Sequence, residues 1–239
     1  VKELKFPHSL GLLYSAFTYF LGFAVNDGEY KLMGLAPYGD PTSDRAKKYK
    51  EIITTEIVDI KEDGSFWLNY KYFDYATGLK MIHEAKWQDV FGFSRRAPEG
   101  NLEQHHCDLA FAIQQVTEEI ILRMTKTAKE VTGEKYLCLA GGVALNCVAN
   151  SKVLNQKIFD DVWIQPAAGD AGGALGAAYA TYHMYFGQKR DIIHGQDAMQ
   201  GSYLGPEFDA LDMKHVAKKY KAPYRYFEQL DELCHVVAD

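Results

Sequence analysis

The four cysteines of this 239-residue sequence stand alone, and no two of them form a Cys-x-x-Cys pair. They lie in or beside apolar segments, at Cys107, Cys138, Cys147 and Cys234. This pattern argues against a disulfide framework and against a zinc site built on paired cysteines. Separate, reduced cysteines are typical of proteins in a reducing compartment, so we predict a cytoplasmic protein.

The sequence also lacks an apolar segment of the roughly 20 residues that a membrane-spanning helix needs. Residues 10–25 carry no charge, but this segment is too short and includes Gly11, Ser15, Thr18 and Gly22. We predict a buried core helix there and no association with a membrane. No charged segment followed by a cleavage site is visible, so no signal peptide is predicted.

An excess of positive charge is absent as well. The net charge is -6, and the lysines and arginines are dispersed along the chain. This balance excludes a general binder of polyanions, and we predict no nucleic-acid partner. A chain of 239 residues, 47% of them hydrophobic, can form one large domain or two small ones. Because the first residue is Val1 rather than Met, we expect part of a longer protein.

Two strand-turn-helix units follow one another between residues 136 and 179. The apolar run 136–140 ends at Gly141-Gly142, and a helix is predicted from there to about residue 154. A second strand is predicted at 161–165, followed by the turn 167–170 and a further helix. Strands that alternate with helices predict an α/β fold. Two glycine-rich turns that open helices offer backbone N–H groups to an anion.

The helix after the second turn is so rich in glycine and alanine that helix propensity alone does not favour it. We expect it to lie against another backbone or a ligand, because a missing Cβ permits close approach. Asp170 stands at the mouth of this turn. Its carboxylate could cap the helix or bind a hard cation that neutralises phosphate oxygens, and the residues alone leave both roles open.

The remaining elements are predicted from hydrophobic spacing and from turn residues. We predict the following elements: helices at 8–23, 45–57, 103–131 and 209–220, a hairpin of 58–60 with 65–69, a loop at 27–39, an irregular segment at 87–100, and a strand near 201. A polar stretch at 188–200 predicts a linker between two domains.

Several familiar sites do not fit this sequence. The sequence argues against a dinucleotide-binding site. The acidic residues that follow the first glycine pair lie at the start of the second strand, whereas the acid that binds the ribose in such a site lies at the end of that strand. The sequence also contains no P-loop, because no Gly-Lys-Ser/Thr follows a glycine-rich turn. His105-His106 is adjacent and predicts a solvated helix start rather than a metal site. Arg95-Arg96 could grip an anionic substrate, although solvation is the simpler prediction.

Four long segments carry a family resemblance. In chain order they read FPHSLGLLYSAFT, GEYKLMGLAPYG, LAGGVALNCVAN and QPAAGDAGGALGAA, at residues 6–18, 28–39, 139–150 and 165–178. In sequence and in order they resemble the O-carbamoyltransferases of the NodU/CmcH type. Because they extend over most of the chain, the resemblance is specific.

The resemblance implies a fold and a domain order. Residues 1–187 would be the C-terminal portion of an actin-like ATPase domain, of the sugar kinase, chaperone ATPase and actin superfamily. Residues 188–200 would be the linker, and residues 201–239 would begin a second α/β domain of the YrdC type. An incomplete first domain implies that the 239-residue chain folds at least in part and does not catalyse the reaction alone.

The resemblance also implies chemistry. ATP and carbamoyl phosphate would give a carbamoyl-adenylate, whose carbamoyl group passes to a hydroxyl of a small-molecule or sugar acceptor. The resemblance leaves open whether the protein forms a homodimer. Gly141, Gly142 and Asn146 match the nucleotide loop, and Asp170 matches a ligand of a divalent metal, iron(II) or else magnesium. Lys31, Met33 and Gly34 match a segment of the family that is expected near the ribose or the phosphates. No catalytic residue is assigned.

Two departures from the family pattern keep other functions open. The family's His-x-x-x-His metal pair does not occur in this sequence, and neither does its Gly-Pro-Arg signature. A non-catalytic nucleotide-binding or assembly module is therefore one alternative. A sugar or acid kinase of the same superfamily is another.

Overall fold

The computed structural model describes residues 2–193 and 195–238, which form a mixed α/β structure. The chain divides into two compact units, Val1–Lys189 and Arg190–Asp239. The first unit holds helices α1 to α7 and strands β1 to β4, and the second holds α8 and α9. The α/β prediction is confirmed, while the identities of the two domains stay predictions.

The helices have the following bounds: α1 Leu10–Phe20, α2 Glu29–Leu35, α3 Asp44–Ile52, α4 Glu84–Phe91, α5 Gln104–Thr132, α6 Cys147–Asn155, α7 Gly172–Tyr179, α8 Ala210–Tyr220 and α9 Leu230–Ala238. The strands are β1 Val58–Ile60, β2 Phe66–Leu68, β3 Tyr136–Leu139 and β4 Asp161–Ile164. Single π-helical turns extend α3 and α7, and short 3-10 turns lie at Ala36–Tyr38, Gly142–Leu145 and Gln200–Ser202.

Helix α1 lies in the core, as predicted. Ser9 caps its first turn by accepting a hydrogen bond from the Leu12 N–H at 3.3 Å, and seven of its eleven residues are buried. Within residues 2–193 and 195–238, no helix is both long and apolar enough to span a membrane.

Helix α5 is the central element of the larger core. Its apolar residues repeat every three or four positions and lie fully buried against α1, α2 and α3, and Gly133 ends the helix in a left-handed conformation (φ 68°). The predicted helix 103–131 is therefore confirmed. The hairpin is confirmed too, with Ile60 paired to Phe66 across the Asp-Gly turn.

Two predicted loops are wrong in part. Residues 29–35 of the expected loop form α2, because Leu32 and Leu35 become buried in the core. Residues 87–91 of the expected irregular segment belong to α4, whose Trp87 is fully buried. The strand expected near residue 201 is a 3-10 turn instead. Tertiary burial decides the first two cases, since short segments hold too few residues to show a period.

The arginine pair is not solvated, contrary to the simpler prediction. Arg96 is buried, and it donates from Nε to the Leu21 carbonyl and from a terminal nitrogen to the Gly100 carbonyl, at 2.5 Å each. Arg95 donates to the Tyr19 carbonyl at 2.9 Å. Both guanidinium groups therefore bind the carboxyl end of α1, where the helix dipole favours a cation.

The second unit is described by itself. Asp209 caps α8 through hydrogen bonds from the Leu211 and Asp212 N–H groups, at 2.7 and 2.9 Å, so the helix predicted at 209–220 is confirmed. None of residues 195–238 is buried.

Candidate functional site

Strands β3 and β4 place the two glycine-rich turns at one edge of a sheet. The strands pair in parallel, with Tyr136 opposite Asp161 and Leu139 opposite Ile164. The segments that follow β3 and β4 therefore leave the strand pair at the same end. In open α/β sheets, ligands bind in the crevice outside the carboxyl ends of the strands. The candidate site is defined here as the turns 141–146 and 167–170 together with the start of α7.

The first turn depends on Gly141. Its backbone lies at φ 100° and ψ 162°, a region that is essentially restricted to glycine. The Gly141 N–H donates to the Ala168 carbonyl at 2.8 Å, which joins the two turns. Gly142 begins the 3-10 turn, and a Cβ built on either glycine would meet no atom of the described structure within 4 Å. The two glycines therefore line open space.

The second turn lies directly against the first. A Cβ on Gly169 would be 3.8 Å from the Leu145 side chain. A Cβ on Gly172 would stand 2.2 Å from the Ala167 carbonyl oxygen, so α7 begins where its backbone touches the turn. Gly173 and Gly176 instead face open space in the described structure. The contact at Gly172 is within the turn that leads into α7, so the expectation that this helix lies against another backbone or a ligand stays a prediction.

Asp170 does not cap α7. The capping position is Ala171, whose methyl group cannot accept a hydrogen bond. The Asp170 side chain is exposed at the mouth of the site. Among residues 2–193 and 195–238, no group of three or more His, Cys, Asp or Glu side chains could hold a metal ion. Asp170 is therefore not part of such a group, and a cation at this carboxylate would take most of its ligands from phosphates and water.

Asn146 has a different surrounding from the glycines. The helix predicted immediately after Gly141-Gly142 begins four residues later than expected, at Cys147, because residues 142–145 form the 3-10 turn. Asn146 caps this helix by accepting from the Ala149 N–H at 3.0 Å. Only 8% of Asn146 is exposed. Its side chain therefore faces the protein, and the open surface of the turn is glycine backbone.

Helix α2 reaches the same region through Met33. The Met33 sulfur lies 3.9 Å from the Cys147 sulfur, at the first residue of α6. Lys31 and Gly34 are exposed on α2, and a Cβ on Gly34 would meet nothing within 4 Å. Residues three apart share a helix face, so Lys31 and Gly34 lie on one side of α2. The structure thus brings Met33 to the start of α6.

A buried polar cluster, the Gln114 cluster, supports the first turn from behind. It consists of Tyr14 on α1, Gln114 and Glu118 on α5, and Asn146, each between 4% and 8% exposed. Burial, together with the charge of Glu118, raises the pKa of Tyr14 far above its ordinary value, so its hydroxyl stays protonated. This cluster was not predicted from the sequence, although polar residues four apart on the apolar face of α5 are a readable signal.

His106 is buried at the start of α5, so the prediction of a solvated histidine pair is wrong for this residue. Its Nδ1 accepts a hydrogen bond from the Glu103 N–H at 2.9 Å. Burial, with His105 and Arg96 nearby, lowers the pKa of His106 to about 4. The ring is therefore neutral at pH 7 and serves the helix start rather than a metal.

Comparisons with known proteins agree with the resemblance. Residues 1–179 match the family model described as the carbamoyltransferase N-terminus. The chain is 51% identical to an uncharacterized protein of Synechocystis, over 99% of this chain and 38% of that protein. It is 37% identical to nodulation protein NolO of Bradyrhizobium diazoefficiens, over 73% of this chain and 29% of the relative.

A second nodulation protein, NolNO of Sinorhizobium fredii, is 37% identical over 87% of this chain and 27% of its own length. The chain thus spans well under half the length of the curated relatives that it matches.

Proposed function

The chain belongs to the family of NodU-type carbamoyltransferases, and from this premise we propose that the protein transfers a carbamoyl group to a hydroxyl of a small-molecule or sugar acceptor. The donor would be carbamoyl phosphate: water would release phosphate and leave carbamate, and a carbamate oxygen would attack the α-phosphorus of ATP, giving the carbamoyl-adenylate and pyrophosphate. The acceptor oxygen would attack the carbamoyl carbon and lose its proton, while the bond from that carbon to the phosphate oxygen breaks and AMP leaves. No residue is assigned as the base.

One observation supports a nucleotide at this site above all others. Two glycine-rich turns meet at the carboxyl end of a parallel strand pair, and Gly141 and Gly142 leave open space beside them. A phosphate needs close approach to backbone N–H groups, and a turn without side chains permits it. Because the Gly141 N–H already donates to the Ala168 carbonyl, the donor at this turn would be the Gly142 N–H, which would stabilise the negative charge that grows on the adenylate phosphate as it departs.

The proposal includes the actin-like ATPase fold for residues 1–187 and a YrdC-type domain that begins near residue 201. In this arrangement the adenylate would form in the second domain and transfer its carbamoyl group at the turns of the first. The two parallel strands and the helices that follow them are compatible with one part of such a fold.

A divalent cation, iron(II) or magnesium, is part of the proposal. Asp170 would supply one oxygen ligand, which fits a hard cation bound chiefly by phosphate oxygens and water. The cation would neutralise phosphate charge. Asp170 itself would hold a fixed negative charge at the mouth of the second turn and orient whatever binds there.

Replacing Asp170 with asparagine in the full-length protein tests this assignment. Because Asp170 makes no cap, we expect unchanged thermal stability and loss of the metal-dependent part of ATP binding, by about tenfold or more. Asp160→Asn is the matched control, since Asp160 is also exposed but lies beside the opposite end of β4. Titration calorimetry with ATP, with and without iron(II) or magnesium, measures the difference. Equal affinities for the wild type and Asp170→Asn would refute the role of Asp170.

The same preparation separates the alternative functions. Release of AMP that depends on carbamoyl phosphate and on a hydroxyl acceptor supports the carbamoyltransferase. ATP binding without turnover would favour a nucleotide-binding or assembly module. Transfer of the γ-phosphate to an acceptor would favour a sugar or acid kinase.

A further inference from the structure

The amide of Gln114 makes hydrogen bonds with all of its donors and acceptors. Its Nε2 donates to Glu118 Oε1 at 2.9 Å and to Asn146 Oδ1 at 3.1 Å. Its Oε1 accepts from the Tyr14 hydroxyl at 2.9 Å and from Asn146 Nδ2 at 3.0 Å. A glutamine amide has two protons and two lone pairs to satisfy, so none of its capacity is left over.

Gln114 and Asn146 form a reciprocal amide pair, and this pair links α5 to the first turn. Asn146 Oδ1 has a second donor, the Ala149 N–H, so its carbonyl is also fully used. The two bonds between the amides fix the Asn146 side chain, and the capping bond fixes the first turn of α6. Since Gly142 is four residues before Asn146, the backbone that faces the open space is tied to α5 through one glutamine.

A second link holds the other end of α6. Lys152 on α6 forms an ion pair with Glu118, and Glu118 also accepts from Gln114. Ala149 and Val153, both on the face of α6 toward Ile121, are buried. The helix after the turn is therefore held at its start by Asn146 and near its end by Lys152.

From this geometry we infer that Gln114 is a positioning residue of the nucleotide site. Its side chain is buried behind the turn, 4% exposed, and not at the open surface. It orients Asn146, and through Asn146 it holds the turn 141–146 in the conformation that exposes its glycine backbone. The inference rests on the proposed function, because it assigns the ligand at that turn to a nucleotide.

The decisive change is Gln114→Glu in the full-length protein. The new side chain has nearly the same shape, but its second oxygen faces Glu118 and Asn146 Oδ1, which need donors. We expect amide hydrogen exchange at residues 141–150 to become at least about tenfold faster and the affinity for ATP to fall by at least about tenfold. In turnover with carbamoyl phosphate, KM for ATP should rise while kcat at saturating ATP changes little.

Two further variants make the test specific. Gln115→Glu is the matched control, because the same change falls on the neighbouring residue, which lines a surface groove of about 340 Å³ between α3 and α5. It should leave exchange and affinity unchanged. Asn146→Ser keeps a good cap for α6 but removes the amide pair, so it should also speed exchange at residues 141–150 and weaken ATP binding. It replaces Gln114→Glu in the test if the Gln114→Glu protein folds poorly.

The outcomes are distinct. Faster exchange confined to residues 141–150, with weaker ATP binding in Gln114→Glu and Asn146→Ser alone, supports the inference. Wild-type exchange and affinity in both variants would overturn it. If the wild type binds no ATP, the nucleotide part of the proposed function fails and the inference fails with it. The exchange data would then show a role in folding only.

Discussion

Replacing Gly142 with alanine separates the stability of the fold from its capacity to bind a nucleotide. Gly142 begins a 3-10 turn, its φ is not positive, and an added Cβ would meet no atom within 4 Å. Alanine loses less backbone entropy on folding than glycine does, so the variant should be as stable as the wild type or more stable by about 0.5–1 kcal/mol. The same methyl group would occupy the space beside the turn.

The consequence for binding has the opposite sign. If a phosphate approaches the Gly142 backbone, the methyl group forces it away, and a misplaced group in a close-packed contact costs about 1–3 kcal/mol. We therefore expect ATP to bind the Gly142→Ala protein roughly five- to 150-fold more weakly. Titration calorimetry on the full-length protein measures the affinity, and guanidinium unfolding measures the stability. Wild-type affinity in a stable variant would refute a phosphate at this position.

Gly141→Ala is the companion change, and we expect it to lower the stability of the fold. At φ 100° and ψ 162° an alanine is strained, which costs about 1–3 kcal/mol. Its unfolding midpoint should therefore fall even though a Cβ has room. An alanine at this position with wild-type stability would contradict the conformation of the turn.

Two further predictions concern the core of the first unit. The folded pKa of His106, about 4, is below its ordinary 6.5, so the unfolded chain binds a proton first as the pH falls. The stability present above pH 6.5 should decline toward pH 4 by up to about 3 kcal/mol, and His106→Asn, which keeps an acceptor, should flatten that decline in urea unfolding. Arg96→Met removes two charged hydrogen bonds, one to the Leu21 carbonyl at the end of α1 and one to the Gly100 carbonyl, and should cost at least about 2 kcal/mol, whereas Arg95→Met, at a half-buried residue, should cost clearly less. Equal losses for the two arginine variants in guanidinium unfolding would contradict this explanation.

The sequence predicts elements whose signal is local. The stripe on α5, the Asp-Gly hairpin and the two strand-turn-helix units all show their period or turn residues within a dozen positions. Helix α2 gave no such signal, because it has seven residues and includes Gly34. Its burial comes from Leu32 and Leu35 packing into a core that is assembled from distant segments. Local patterns cannot report that packing.

The candidate site divides in the same way. The glycine-rich turns and Asp170 are visible in the sequence, whereas the parallel pairing that brings the turns to one edge comes from the structure. The Gln114 cluster is not visible as a unit, because Tyr14 lies 100 positions before Gln114 and Asn146 lies 32 positions after it. The capping alternative for Asp170 also needed the structure, since a difference of one residue moves the cap to Ala171.

The central place of α5 has a consequence for biosynthesis. Helices α1, α2 and α3, which pack against α5, all precede it along the chain. During translation at roughly 5–20 residues per second, the approximately 40 residues from the end of α4 to the end of α5 take about two to eight seconds to make. For that interval the apolar side chains of α1, α2 and α3 lack α5 as a packing partner. The nascent chain should therefore be most prone to aggregation, and most dependent on chaperones, just before α5 is complete.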